Sequence, residues 1–257
     1  MTKKRVVIKV GTSTLTYDTG KINLRQIELL SQVICDLHHS GCEVVLVTSG
    51  AVAVGFGKLG FDKRPDTVSG KQASSAVGQS ELMSMYGKFF AQFGCQTAQV
   101  LITKNVLEDA QRHTNAVNTF RTLLDWHVIP IVNENDVIST AEIEFGDNDT
   151  LSAVVAELIG ADLLIILSDI DGLYDKDPAR YEDAKLISRV DAVTDALMQS
   201  AGGSGSNRGT GGMVTKLIAA KHAMSAGVDM VIINGKNPKG IYDVLEGKPI
   251  GTKFIAN

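Results

Sequence analysis

The chain has 257 residues, a formal net charge of −4 and a hydrophobic fraction of 44%. This length supports one large domain with a substantial core, and the acidic balance argues against a nucleic-acid partner bound through bulk electrostatics. Cys35, Cys42 and Cys95 lack the spacing of a zinc site or a disulfide framework, so we expect a reducing, cytoplasmic location. No apolar run approaches the roughly 20 residues that a membrane span needs, so no membrane partner is expected.

Strands and helices alternate through the first half of the chain. The predicted elements are a strand at Arg5–Val10, a helix from Asn23 to Gly41, a strand at Glu43–Thr48, a helix at Gln72–Phe93, a strand at Thr97–Ile102, a helix at Thr114–Trp126 and a strand at Val128–Val132. Gly11–Thr14 is predicted to be a loop, and the fifteen residues after Ala53 are predicted to be irregular. The strand–helix–strand order indicates βαβ units with right-handed crossovers.

The second half continues the alternation. The predicted elements are a hairpin at Val137–Phe145, a helix at Leu151–Ile159, a strand at Asp162–Leu167, a helix at Val190–Ser200, a helix at Met213–Ala226, a strand at Val228–Ile233 and a last strand at Gly251–Ile255. This order predicts an α/β fold, a three-layer αβα sandwich with a mainly parallel central sheet. We expect one domain, 1–257, with two lobes that divide near residue 160.

Small and polar residues follow several predicted strands. In such sheets, ligands bind beyond the carboxyl ends of the strands. The segments at these ends are Lys9–Ser13, Ser49–Gly50, Asn133–Asp136 and Ser168–Asp169. A turn explains each of them equally well, and Gly146–Asp149 alone is also a good turn followed by a helix cap.

Two lysines occupy unusual positions. Lys9 interrupts an otherwise buried strand pattern, where an ammonium group either reaches the surface or meets a fixed anion. Lys216 lies in the first turn of a helix that follows a glycine-rich loop, where free backbone amides favour phosphate. Its alternative is a solvated lysine at a helix start.

Three common site motifs fit poorly. Gly209–Lys216 resembles a Walker A loop only superficially, because no segment has the spacing Gly-x4-Gly-Lys-Ser/Thr. Gly55–Gly60 matches Gly-x-Gly-x-x-Gly, but it begins seven residues past its strand and lacks the later acidic residue. A serine hydrolase is disfavoured because no Gly-x-Ser-x-Gly elbow surrounds Ser49 or Ser168.

A set of motifs nevertheless resembles a known family. They are Lys9–Ser13, Thr48–Ala51, Val132–Asp136, Gly146–Asp149, Leu167–Tyr174 and Gly209–Lys216. In this order and over nearly the whole chain, they resemble the amino acid kinase superfamily, and within it the branch that phosphorylates the γ-carboxylate of L-glutamate. Many members of that branch continue into a C-terminal PUA domain, and we expect a short form here.

The resemblance implies phosphoryl transfer from ATP, with Mg²⁺, as the first step towards proline. It implies an amino-acid lobe at about 1–160 and a nucleotide lobe at about 161–257. The implied catalytic residues are Lys9, Lys216 and Asp149. The implied glutamate ligands are Ser49, Asp136 and Asn148. The implied ATP ligands are Lys9, Gly11, Gly50, Ser168, Asp169, Thr210, Gly211, Gly212, Met213, Val214, Thr215 and Lys216, and no protein ligand to a metal is implied.

The residues suit this chemistry. A glutamate carboxylate, with a pKa of about 4.3, is already an anionic nucleophile at neutral pH, so no general base is needed. The resemblance also implies feedback inhibition by proline and a homo-oligomer. Two alternatives remain: a sister kinase with acetylglutamate or aspartate as the acceptor, and a non-catalytic amino-acid sensor of the same fold.

Overall fold

Eight strands form a single sheet in the computed structural model, which describes residues 4–17, 19, 21–61, 63–139, 148–202 and 212–256. The strands are β1 (Arg5–Val10), β2 (Glu43–Val47), β3 (Gln96–Ile102), β4 (Val128–Glu134), β5 (Leu163–Ser168), β6 (Arg189–Val190), β7 (Asp229–Asn234) and β8 (Thr252–Phe254). Their order across the sheet is β3-β4-β2-β1-β5-β7-β8-β6. The basic N-terminal strand therefore lies inside the sheet, between β2 and β5.

Helices cover both faces of the sheet. They are α1 (Thr12–Leu15), α2 (Leu24–His39), α3 (Ala51–Leu59), α4 (Val68–Gln92), α5 (Ala110–Asp125), α6 (Asn148–Ile159), α7 (Asp195–Gly202), α8 (Met213–Ser225) and α9 (Gly240–Leu245), with a 3₁₀ turn at Lys104–Leu107. Asn23 caps α2 as its position predicts, because its side chain accepts a hydrogen bond from the Gln26 amide.

The core consists of two apolar layers, one on each face. Val7 of β1 belongs to the layer formed with α5, α6 and α8, whereas Val6 and Ile8 belong to the layer formed with α2, α3 and α4. Neighbouring residues of a strand point to opposite faces, so strands covered on both sides are apolar at nearly every position. The three-layer αβα sandwich is confirmed.

Parallel pairing brings most strand ends to one edge. β1 is parallel to both β2 and β5, with Lys9 opposite Val47 and Ile166. β4 is parallel to β2 and β3, and β7 is parallel to β5. Only β8 runs against its neighbour β7 among the described pairs. The loops after β1, β2, β4, β5 and β7 therefore meet at the same edge.

The region after β2 differs from the sequence expectation. The residues after Ala53 are helical rather than irregular, because α3 continues to Leu59. A Cβ on Gly55 would lie 1.7 Å from the Ser74 carbonyl oxygen, and one on Gly78 would lie 1.8 Å from the Ala51 carbonyl oxygen. The backbones of α3 and α4 thus touch, and this packing outweighs the low helix propensity of glycine. Packing therefore explains Gly55, and Gly60 is the left-handed C-cap of α3 with a φ of 69°.

Four other expectations need correction or lie outside the description. Most of the predicted loop Gly11–Thr14 belongs to the single helical turn α1, which ends at Leu15. The helix predicted at Val190–Ser200 begins at Asp195, because Val190 belongs to β6, and α9 was not predicted. The hairpin predicted at Val137–Phe145 lies largely outside the described residues. Among the described helices, none is both long enough and apolar enough to cross a membrane.

Candidate active site

A carboxylate between two lysines lies at the shared edge of the strands. Lys9 Nζ is 2.6 Å from Asp149 Oδ1, and Lys216 Nζ is 3.1 Å from Asp149 Oδ2. Lys9 shares the face of β1 that carries Val7, so it points towards the first turns of α6 and α8, which carry the other two residues. The structure brings together three residues that are 140 and 67 positions apart in the chain.

These three charges are almost completely withdrawn from water. The exposed fractions are 7% for Lys9, 6% for Lys216 and 1% for Asp149. Burial alone would raise the pKa of Asp149, but the two ammonium groups outweigh that effect and lower its pKa to about 2. Asp149 is therefore ionised at neutral pH, and these three side chains together carry one more positive than negative charge. Such an excess in a buried site favours an anionic ligand.

Backbone amides and glycines lie beside the lysines. Gly11 lies two residues after Lys9, and a Cβ there would lie 3.6 Å from Lys9 Nζ. Gly50 is the N-cap of α3 and has a left-handed φ of 93°, which a side chain would strain. Gly212 is the N-cap of α8, whose first amides lack intrahelical partners and favour an anion. These elements can hold a phosphate group close to the lysines.

Thr215 joins the glycine end of α8 to the lysine cluster. Its hydroxyl lies 3.0 Å from Asp149 Oδ2 and 2.7 Å from the Gly212 carbonyl oxygen. Met213 and Val214 are partly buried in the same first turn. Thr210 and Gly211, which the sequence also assigns to ATP, lie outside the described residues.

Asn148 begins a chain of amide hydrogen bonds on the other side of Asp149. Its Nδ2 donates to the Thr48 carbonyl at 2.6 Å, to Ser49 Oγ at 3.2 Å and to Asn133 Oδ1 at 2.7 Å. Asn133 Nδ2 in turn donates to Gln79 Oε1 at 2.8 Å. This chain connects α6, the end of β2, the end of β4 and α4.

Asp136 lies in the same region and is also buried. The Ser75 hydroxyl donates to its Oδ2, and Gln72 Nε2 donates to its backbone carbonyl at 2.9 Å. Burial raises the pKa of Asp136 above its ordinary value, although the Ser75 hydrogen bond acts in the opposite direction. Asp136 forms no ion pair within the described part of the chain, so this buried carboxylate suits a ligand that brings a positive charge.

Ser168 and Asp169 end β5 near the glycine that follows β7. The Gly235 amide donates to the Ser168 carbonyl at 2.7 Å, and Ser168 Oγ lies 3.2 Å from Asp169 Oδ1. Asn234 Nδ2 donates to Asp171 Oδ1 at 2.7 Å on the same side. This group lies beyond β5 and β7, whereas Asn148 and Asp136 lie beyond β2 and β4.

Sequence reasoning missed two side chains of this site and gave a third no role. Ser75 and Gln79 lie one helical turn apart on α4 and are buried, and Asn133 was noted only as part of a strand end. A signal was present in the sequence, since Gln72, Ser75 and Gln79 form a polar stripe in line with the apolar Leu82. Buried polar residues at helical spacing indicate either a polar network or a ligand.

The fold defines an α/β protein whose strand ends meet beside a buried lysine pair, and comparison with known proteins identifies its family. A profile described as "Amino acid kinase family" matches residues 4–234. A glutamate 5-kinase of Clostridium perfringens is 56% identical over 98% of this chain and 96% of its own. One from Listeria monocytogenes is 50% identical over 98% and 93%. The chain belongs to the amino acid kinase family and, within it, to the glutamate 5-kinases.

Solved structures share the fold at much lower sequence identity. A UMP kinase from Bacillus anthracis has a TM-score of 0.67 at 18% identity, covering 99% of this chain and 96% of its own. A carbamate kinase from Giardia lamblia bound to AMP-PNP has a TM-score of 0.68 at 18% identity, covering 100% of this chain and 99% of its own.

One sequence relative is longer than this chain. A glutamate 5-kinase of Thermoanaerobacter is 51% identical, and the match covers 98% of this chain but 68% of the Thermoanaerobacter protein.

Proposed function

We propose that this protein transfers the γ-phosphoryl group of ATP to the γ-carboxylate of L-glutamate, which gives γ-glutamyl phosphate, the first step towards proline. The observation that carries the proposal is the buried cluster of Lys9, Asp149 and Lys216. Beside it lies a polar region that contains neutral side chains and one buried carboxylate, that of Asp136. The substrate is supported by the glutamate 5-kinases that match this chain along nearly its full length.

The chemistry requires two anions to approach each other. The glutamate carboxylate is ionised at neutral pH, so the protein needs to orient it and to stabilise the charge on the phosphoryl oxygens. In our proposal Lys9 and Lys216 contact those oxygens. Asp149 holds both ammonium groups in place and keeps them from repelling each other.

The nucleotide is proposed to bind beyond β5 and β7. Ser168, Asp169 and the segment 210–216 would hold ATP, while the amides of Gly11 and Gly50 would contact the moving phosphoryl group. Magnesium is proposed to arrive on the ATP phosphates, because Mg²⁺ keeps several waters and usually binds through substrate phosphates. It would neutralise part of the phosphate charge, and we assign no protein side chain to it.

The amino-acid substrate is proposed to bind on the other side of Asp149. Asp136 would face the α-ammonium group, which suits a buried carboxylate that forms no ion pair with any described residue. Ser49 and Asn148, already joined by a hydrogen bond, would contact the substrate next to the catalytic cluster. An acidic side chain in the site of an acidic substrate is consistent if it contacts only the ammonium end.

Several further features of the proposal come from the family. They are the division into an amino-acid lobe at about 1–160 and a nucleotide lobe at about 161–257, inhibition by L-proline, a homo-oligomeric state and a cytoplasmic location. Size-exclusion chromatography with light scattering measures the oligomeric state, and adding L-proline to the assay below tests inhibition.

A coupled ADP assay tests the function directly. We expect ADP release only when both L-glutamate and magnesium are present, and hydroxylamine should trap the acyl phosphate as a hydroxamate. A panel with N-acetylglutamate, aspartate, carbamate and UMP separates the sister kinases. ADP release that ignores L-glutamate, with no hydroxamate, would contradict the proposal, and binding of glutamate without any turnover would favour the sensor.

A further inference from the structure

Three buried polar atoms of the amino-acid site lack a hydrogen-bond partner among the described residues. They are Gln79 Nε2, Asp136 Oδ1 and Asn148 Oδ1. All three side chains are more than nine-tenths buried, with exposed fractions of 7%, 3% and 1%. Leaving a buried polar atom unpaired costs about 1–3 kcal/mol, so three such atoms at the same edge of the sheet indicate that a ligand pairs with them.

The three atoms have complementary types. Asp136 Oδ1 and Asn148 Oδ1 can only accept hydrogen bonds, whereas Gln79 Nε2 can only donate them. An α-amino acid presents a donor, its α-ammonium group, beside an acceptor, its α-carboxylate. Two acceptors and one donor therefore match that end of the substrate, and the ammonium would bind to the carboxylate and amide oxygens.

The order of the network places Gln79 at the far end from the chemistry. Asn148 adjoins Asp149 in α6, Asn133 bonds to Asn148, and Gln79 bonds to Asn133. A glutamate whose γ-carboxylate lies near Lys9 would extend its α-carbon towards this far end. Among these residues only Gln79 offers a free donor there.

Gln79 is also held in place by its own contacts. Its Oε1 accepts from Asn133 Nδ2 at 2.8 Å, which fixes the amide plane and directs Nε2 away from Asn133. Ser75, one turn earlier on α4, bonds to Asp136, so a single helix face positions both the donor and the carboxylate. A site whose side chains are already oriented needs little rearrangement to bind.

We propose that Gln79 recognises the α-carboxylate of the amino-acid substrate through Nε2, and so selects an α-amino acid over acceptors that carry only the reacting carboxylate. Asn133 is the positioning residue that orients Gln79. This inference rests on the proposed function, because it assumes that the γ-carboxylate of glutamate is the group placed at the lysines.

Two glutamate analogues and two variants test the proposal. 4-Aminobutanoate lacks the α-carboxylate, and glutarate lacks the α-amino group. Gln79→Met removes both the donor and the acceptor for Asn133 at similar size, whereas Gln79→Glu removes the donor but keeps the acceptor for Asn133. The control is Gln92→Met, an exposed glutamine on the same helix. Dissociation constants of all three ligands are measured by calorimetry with AMP-PNP present, which does not depend on turnover.

A hydrogen bond to a charged group is worth about 1.5–3 kcal/mol. Gln79→Met should therefore raise the dissociation constants of L-glutamate and glutarate by about 10- to 100-fold. Binding of 4-aminobutanoate should not weaken in Gln79→Met. In Gln79→Glu the loss for L-glutamate and glutarate should be larger, because the new carboxylate repels the carboxylate at that end of each ligand. Equal weakening of all three ligands, or no weakening, would overturn the role of Gln79. A wild-type protein that binds none of them would overturn the proposed function as well.

Discussion

Replacing Asp149 with asparagine keeps the shape of the side chain and removes the negative charge between two buried ammonium groups. Lowering the pKa of this carboxyl from 3.8 to about 2 corresponds to about 2 kcal/mol of folding free energy at neutral pH. Removing one member of a buried ion pair costs about 3–5 kcal/mol, because the remaining charges stay buried and here repel each other. We therefore expect Asp149→Asn to lower the free energy of unfolding by about 3–5 kcal/mol.

The pH dependence gives this prediction a second, independent result. A carboxyl whose pKa is lower in the folded state stabilises the protein above its unfolded pKa, and this stabilisation is lost as the pH falls towards the folded value. The contribution of the Asp149 carboxylate to the free energy of unfolding is therefore complete above about pH 5 and is about 1 kcal/mol smaller at pH 3. The difference in the free energy of unfolding between wild type and Asp149→Asn should therefore be about 1 kcal/mol smaller at pH 3 than at pH 7.

Urea denaturation followed by circular dichroism at pH 7 and pH 3 measures both free-energy differences, and thermal denaturation gives the melting temperature. At pH 7 the melting temperature of Asp149→Asn should fall by about 6–20 °C for a chain of this size. The control is Asp183→Asn, which breaks an exposed pair with Lys176 and should change stability by less than about 1 kcal/mol. An Asp149→Asn protein as stable as the control, or a difference that does not depend on pH, would refute the charge argument.

Further changes give separate tests. Lys216→Met should lower kcat by about two or more orders of magnitude with the circular dichroism spectrum unchanged, since the lysine is proposed to act on the transition state, and a near-normal kcat would remove it from the mechanism. Asp136→Asn should raise KM for L-glutamate but not for ATP, and in the wild type this KM should rise on acidification at a pH above that of an ordinary aspartate, because burial raises the pKa of Asp136. Gly78→Ala should lower the melting temperature strongly, because its Cβ would lie 1.8 Å from a backbone oxygen of α3. Gly87→Ala on the same helix meets nothing within 4 Å and should stabilise by about 0.5–1 kcal/mol, so equal effects of the two alanines would contradict the packing argument.

The predictions from sequence succeed where local pattern and tertiary environment agree. The apolar run Leu163–Leu167 is a strand because it is buried on both faces, and Asn23 caps α2 because its side chain accepts from an amide three residues later. They fail where packing outweighs propensity. The residues after Ala53 were predicted to be irregular, yet Gly55 lies inside a helix whose backbone touches that of α4 at Gly78.

Some residues of the candidate site could be predicted from the sequence, and others could not. Lys9 and Lys216 are conspicuous in the sequence, because a lysine inside a buried strand and a lysine at a glycine-led helix start both require a physical explanation. Gln79 is not conspicuous, because one glutamine in a long helix fits a solvated face as well as a buried one. Its significance depends on Asn133, which lies 54 positions away.

The sequence by itself determined the alternation of strands and helices, the parallel sheet and the edge at which its polar loops collect, because hydrophobic periodicity and turn chemistry are local properties. Only the tertiary structure decided that one carboxylate lies between two lysines with its pKa near 2, and that Asn148 leads through Asn133 to Gln79. Those facts depend on distances between residues far apart in the chain, which the packing of α4, α6 and α8 against the sheet fixes.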